Sequence, residues 1–168
     1  DHIAGPCDKD LVKLLQKNYE RGGMRFELNA CVKVIGNSRV LCQRGGETFD
    51  LEADRVLVAL GRRPNSQDLG LESIGVLLEN GAVRTDCHMR TNVPGIYAVG
   101  DINGKSMLAH TAYREAEVAV HTILGQKDTM SYRAIPSVLY TIPELSSVGL
   151  TEEEAKAQGL DVAVVRIP

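Results

Sequence analysis

The apolar residues of this 168-residue chain recur in different rhythms, and each rhythm predicts a different element. Leu11, Val12, Leu15 and Tyr19 return at helical spacing; Asp8 stands ahead of them as a capping residue, and Gly22-Gly23 ends the pattern. The period then shortens to two. Met24, Phe26 and Leu28 share one face of an expected strand over 24–28, and three more strand-like runs, 31–36, 39–44 and 47–52, are separated by Asn37-Ser38 and Gly45-Gly46. Together they predict a small antiparallel meander. The run RVLVALG at 55–61 is apolar on both faces, as a strand within a parallel sheet is, and RRPN at 62–65 turns the chain away from it. A domain boundary is expected at that turn.

The same reading continues through the second half. GVLLENGAVRT at 75–85 predicts a hairpin with Asn80-Gly81 at its tip, where both residues tolerate positive φ. Ile96 to Val99 predict another buried strand, which stops at Gly100 and Asp101. A helix over 107–124 follows, with Leu108, Ala112, Ala116, Ala119, Val120 and Ile123 on its expected buried face and Gly125 closing it. Residues 126–135 are polar and predict a linker. Beyond them, a third section opens with IPSVLYT, turns at Pro143, forms a strand over 145–150, and continues into a short helix ending at Gly159. Thr151 and Glu154 are spaced as the capping box of that helix, and DVAVVRI at 161–167 predicts a last strand. There is no internal repeat. Because the chain starts on a helix that ought to follow a strand and stops at Pro168 after a strand without a partner, it is expected to be part of something larger.

Composition narrows the partners. Nineteen Lys and Arg against 22 Asp and Glu leave a net charge of −3, without the basic excess that nucleic acid or an anionic membrane selects. The apolar runs are too short to span a bilayer, and the first residues carry no export signal. Cys7, Cys31, Cys42 and Cys87 form no CxxC, and the four histidines stand at no ligand spacing with them, so no metal site is expected. Reduced thiols in a cytoplasmic compartment are the simplest reading.

The candidate chemistry lies where the strand at 96–99 ends on a charge. Ligands of open α/β sheets sit beyond the carboxyl ends of strands, Gly100 permits close approach, and Asp101 can accept hydrogen bonds from a polyol or ribose. The start of the following helix brings its unpaired N–H groups to the same place. For a bare Gly-Asp pair the plainer reading is an ordinary βα loop with a solvated Asp, and only a longer pattern favours a ligand.

The longer stretch TNVPGIYAVGDINGKSMLAHTAYREA, residues 91–116, resembles the second flavin-binding motif of the FAD-dependent pyridine nucleotide–disulfide oxidoreductases, and MLAH at 107–110 resembles their dihydrolipoamide-oxidising branch. VLVALGRRPN at 56–65 is similar to the family's crossover from NAD domain to FAD domain, and VLYTIPELSSVGLTEEEA at 138–155 to the opening of its dimerisation domain. The resemblance runs the length of the chain. It implies an α/β fragment: the distal half of a Rossmann-like NAD domain with its β-meander (1–60), a central FAD-facing section (61–130), and the start of an α+β dimerisation domain (131–168). It also implies that Asp101 holds a ribitol hydroxyl of FAD, that the backbone of Met107, Leu108, Ala109 and His110 lies near the flavin pyrimidine, and that Val32 and Gly61 line the NAD site. Read without the family, Val32 is sheet core and Gly61 a turn glycine.

Other charged positions have plain readings. Glu144 belongs to a turn, Glu152 to Glu154 favour a helix dipole, and Arg62-Arg63 either meets a phosphate or is a solvated turn. Ala116 stands where the family often has Gly. No GxGxxG, no Cys-x4-Cys pair and no His-Glu base pair occurs, so no catalytic residue is expected in the chain itself. The partners implied for the whole protein are dihydrolipoamide, on the lipoyl domain of a 2-oxo acid dehydrogenase or glycine cleavage complex, and a second copy in a homodimer. A mercuric reductase, NADH oxidase or glutathione reductase relative, a non-catalytic nucleotide-binding or assembly module, and an interaction domain in which Asp101 caps a loop are the alternatives.

Overall fold

The computed structural model describes residues 2–5 and 7–167; Asp1, Pro6 and Pro168 lie outside the described residues. Two compact units form, one from Asp1–Val58 with Pro136–Pro168 and the other from Ala59–Ile135.

In the first unit, α1 (Lys9–Arg21) begins where Asp8 accepts a hydrogen bond from Asp10 N–H and ends at Gly22. Its apolar stripe buries Val12 and Leu15 against Leu145 and the half-buried Leu139. Strands β1 (Cys31–Ile35), β2 (Arg39–Arg44) and β3 (Glu47–Glu52) form the expected antiparallel meander. Val32 pairs with Cys42 and Ile35 with Val40, which requires a bulge in β1 between them, and Phe49 and Leu51 continue the same two rows in β3. Cys42 and Val40 are buried on that face, but Val32 is 52% exposed, so it is not the core residue its sequence position suggests. Strands β6 (Ser137–Leu139) and β7 (Leu145–Ser147) pair around the turn at Pro143, and the capping box of Thr151 and Glu154 opens α3 (Glu152–Ala157).

Three strand-like runs are not strands. Residues 24–28, 55–61 and 161–167 have no ladder partner among the described residues, and Leu57 (89% exposed), Leu60 (93%) and Ile167 (86%) stand in solvent. A strand exists only through the backbone hydrogen bonds of a neighbour, so an apolar run without one stays irregular however well it alternates. All observed sheets are antiparallel; the parallel pairing expected at 55–61 is absent among the described residues. Arg166 in the last run instead pairs with Asp10 and Glu152.

In the second unit, Asn80 and Gly81 at positive φ join β4 (Leu78–Glu79) to β5 (Ala82–Val83) as the hairpin predicts. Val76, Val83 and Ala98 form a small core beside it. The expected strand at 96–99 is reduced to a single bridge between Tyr97 and Arg90. Helix α2 (Ala109–Ile123) buries Thr111, Glu115, Val118, Ala119 and Thr122, while Val120 and Ile123 are exposed, so its inward face is rotated from the one predicted. The polar members of that stripe are satisfied internally: Thr122 Oγ1 donates to the Val118 carbonyl at 2.8 Å and Ser106 Oγ to Thr111 Oγ1 at 2.9 Å.

Residues 126–135 are not a loose linker. Met130 packs with Met89, Val118 and Ala119, and Asp128 grips α2: Arg114 donates to both of its carboxylate oxygens, at 2.6 and 2.9 Å, and His121 Nδ1 lies 2.7 Å away. The Arg114 hydrogen bond first, and that from His121 second, hold the Asp128 carboxyl well below the usual carboxylate range. A lowered folded-state value means the attachment contributes fully above the unfolded value, near about pH 4, and is lost as pH falls through the folded one. Asp128→Asn is therefore expected to lower stability at neutral pH and flatten the loss below about pH 4, as measured by urea unfolding midpoints across pH; an unchanged acid profile contradicts this.

Candidate functional site

The turn after the Tyr97 bridge is a single 3₁₀ segment, Gly100–Asn103, entered at φ +76 on Gly100 and left at φ +69 on Gly104. Glycine is needed at both ends for two reasons. The positive φ disfavours a side chain, and an added Cβ would stand 3.3 Å from Ala112 Cβ at Gly100 and 2.7 Å from Ala82 Cβ at Gly104. The turn thus lies close against α2 on one side and β5 on the other.

A buried carboxylate fixes it. Glu115, fully buried on α2, accepts from Gly100 N–H at 2.6 Å and Asn103 Nδ2 at 2.9 Å through one oxygen, and from the Tyr132 hydroxyl at 2.6 Å through the other. Burial first, then the hydrogen bond and charge of Glu115, push the Tyr132 phenol well above its ordinary value, so it stays a donor. Asn103 Oδ1 in turn accepts from Lys105 N–H, and Lys105 Nζ reaches the Thr85 carbonyl at 2.9 Å. Sequence reasoning missed Glu115 altogether. The available signal was a lone acid four residues after Thr111 and four before Ala119, on the stripe that the helix buries.

Asp101, between the two anchored residues, is exposed, and among the described residues no hydrogen bond or ion pair engages its carboxylate. Its carbonyl accepts from Gly104 N–H, but the side chain caps nothing. Among the described residues the Asp101 side chain does not cap its loop; Glu115 holds the turn, and an exposed carboxylate agrees both with a ligand contact and with a solvated βα loop. Met107 and Leu108 are half-buried, Ala109 and His110 exposed, and Leu108, in extended conformation, precedes α2 without a side-chain cap. The positive end of the helix dipole thus sits a few residues from the acceptor of Asp101. A cleft of about 410 Å³ lined by Pro64, Ala82, Thr85, Asn103, Lys105 and Met107 adjoins this turn. A larger groove of about 700 Å³ lies in the other unit and contains none of the sequence-predicted site residues.

A carboxylate without a partner among the described residues, on a turn tied by buried hydrogen bonds, and a helix start without a side-chain cap leave an acceptor and backbone donors side by side in sequence. Of the other predicted residues, Val32 belongs to β1 of the first unit, and Gly61, at φ +109 with open space where a Cβ would stand, to the second. Among the described residues no three His, Cys, Asp or Glu side chains group as metal ligands, all four cysteines are free, and no helix is long and apolar enough to cross a membrane.

Comparison with known proteins gives a consistent result. The family described as pyridine nucleotide-disulphide oxidoreductase matches residues 1–116, and its dimerisation domain matches residues 135–168. The dihydrolipoyl dehydrogenase of Chlamydia muridarum is 44% identical over 95% of this chain and 34% of its own length, and that of Bacillus subtilis 38% identical over 100% and 37%. The chain thus spans about a third of the length of the curated relatives it matches. Among solved structures, LpdA from Mycobacterium tuberculosis superposes with a TM-score of 0.77 at 29% identity, over 90% of this chain and 34% of that one. The HOCl-induced flavoprotein disulfide reductase RclA from Escherichia coli superposes with 0.80 at 27%, over 98% and 39%. These neighbours, each longer than this chain, share its α/β fold over the matched part.

Proposed function

Since this chain belongs to the pyridine nucleotide-disulphide oxidoreductases, we propose that it is the flavin-facing middle portion of a dihydrolipoyl dehydrogenase, an enzyme that oxidises dihydrolipoamide with NAD through FAD and a redox disulfide. The observation that carries the reading is the Asp101 carboxylate, exposed and, among the described residues, unpartnered, on a turn tied to Glu115 by buried hydrogen bonds.

In this role Asp101 accepts hydrogen bonds from ribitol hydroxyls of FAD, and the backbone of Met107, Leu108, Ala109 and His110 faces the pyrimidine end of the flavin. When bound, FAD supplies a two-electron carrier between thiols and NAD. The dipole of α2 and the N–H groups of its first turn stabilise negative charge at that end. Gly61 has no side chain to keep NAD from its backbone, and the exposed Val32 offers an apolar contact. Residues 1–60 then belong to the NAD domain, 61–130 to the central FAD-binding section, and 131–168 to the interface domain. The exposed Tyr140, Ile142 and Val148 in the last suit burial in a homodimer. The lipoyl domain of a 2-oxo acid dehydrogenase or glycine cleavage complex is the proposed source of dihydrolipoamide, and a cytoplasmic location agrees with four free thiols.

The 168-residue chain contains no Gly-rich phosphate turn and no redox cysteine pair, so its residues supply walls of sites and not the reacting groups. Purified alone, it is expected to be colourless and to oxidise no dihydrolipoamide, whereas the full-length protein is expected to reduce NAD with dihydrolipoamide. Turnover by the short chain, or a full-length protein without turnover, contradicts the proposal.

A further inference from the structure

Two features of the site hang on one helix. The first turn of α2 carries Ala109 and His110, and Glu115, about 9 Å further along the axis at 1.5 Å per residue, holds the turn that bears Asp101. The two residues Glu115 binds, Gly100 and Asn103, flank Asp101 on either side. A fully buried carboxylate is costly unless every lone pair in reach is met, and an apolar residue would pack an inward helix face at less cost. Here three donors from two segments converge on it: the entry and exit of the turn, and Tyr132 of the segment strapped across α2. Tyr132 is itself placed, with its ring under Lys105 Nζ at 5.5 Å and packed on the Met89–Met130 cluster.

We propose that Glu115, backed by Tyr132, is the positioning residue of the flavin site, fixing the place of the Asp101 carboxylate relative to the start of α2. The inference rests on the flavin reading above. Glu115 touches no ligand; it acts through Asp101. Tyr132 extends the chain of contacts, so that the segment 126–135 contributes to flavin affinity without approaching the flavin.

The test is a flavin titration of the full-length apoprotein, read by quenching of FAD fluorescence, for wild type, Glu115→Gln, Tyr132→Phe, Asp101→Ala and the doubles with Asp101→Ala. Gln keeps the volume but must turn an amide donor toward the Tyr132 hydroxyl or the turn, and is expected to weaken FAD binding about tenfold; Phe, which removes one donor, weakens it severalfold. Either change added to Asp101→Ala is expected to cause no further loss beyond about twofold, because position matters only while the positioned carboxylate is present. Additive losses in the doubles, or wild-type affinity in both single variants, overturn the inference and leave the flavin reading intact. Should Glu115→Gln not fold, Tyr132→Phe and its double give the same decision. A wild type that takes up no FAD overturns the flavin reading itself, and this inference with it.

Discussion

Asp101→Ala in the full-length protein is expected to weaken FAD binding by about 1.5–3 kcal/mol, on the order of 10- to 150-fold. The size follows from what the side chain does within the chain, which is nothing: its carboxylate has no partner among the described residues, so its removal should cost the fold little. The loss is then a loss of ligand contact. A hydroxyl that had a charged acceptor must find water or go unpaired in the bound complex, and hydrogen bonds to charged groups are the stronger kind. His110→Ala, by contrast, keeps the backbone N–H at the start of α2 and is expected to leave affinity nearly unchanged. Unequal thermal stabilities of Asp101→Ala and wild type in the flavin-free state would show that the carboxylate has a structural role that the geometry does not give it.

Glu115→Leu is expected to have the opposite profile, with a large effect on folding. Leucine matches the volume roughly, yet it leaves the Gly100 N–H, the Asn103 amide and the Tyr132 hydroxyl facing an apolar group in a fully buried place. Relaxation will recover part of this, and a net loss of about 3–5 kcal/mol is the expectation for removing one member of a buried polar set. Glu115→Gln, which can still accept from two of the donors, is expected to lose less than half as much. Chemical denaturation of the 168-residue chain and its two variants reads both numbers, and a leucine variant within about 1 kcal/mol of wild type would mean that water or rearrangement satisfies the three donors.

The contrast between these residues shows what a sequence can reveal. Elements settled by local chemistry were legible: the Asp8 cap and Gly22 stop of α1, the meander with its glycine turn, the Asn80-Gly81 hairpin and the Thr151–Glu154 box all form as their residues predict. Elements that need a partner were not. Runs 24–28, 55–61 and 161–167 have the period of strands but no neighbour among the described residues to complete a ladder. Helix α2 was misread in rotation because alanines at 112, 116 and 119 permit several faces, and the buried face carries polar side chains, of which Glu115 bonds to residues 12 to 17 positions away and Thr111 and Thr122 bond mainly to near neighbours. Asp101 stood out as a candidate because a charge ending an apolar run is conspicuous. Glu115 was not, because one acid among Tyr113, Arg114 and Glu117 looks like any solvated helix face.

The central claim is that the turn at Gly100–Asn103 and the start of α2 serve a flavin that stands between a dithiol and NAD. It is tested most directly by the absorption spectrum of the purified full-length protein under anaerobic conditions, first alone, then with dihydrolipoamide, then with NAD. The account predicts an oxidised flavin spectrum that changes on adding the dithiol and returns toward its starting form with NAD. A protein without flavin, or one whose flavin spectrum ignores dihydrolipoamide, would contradict it.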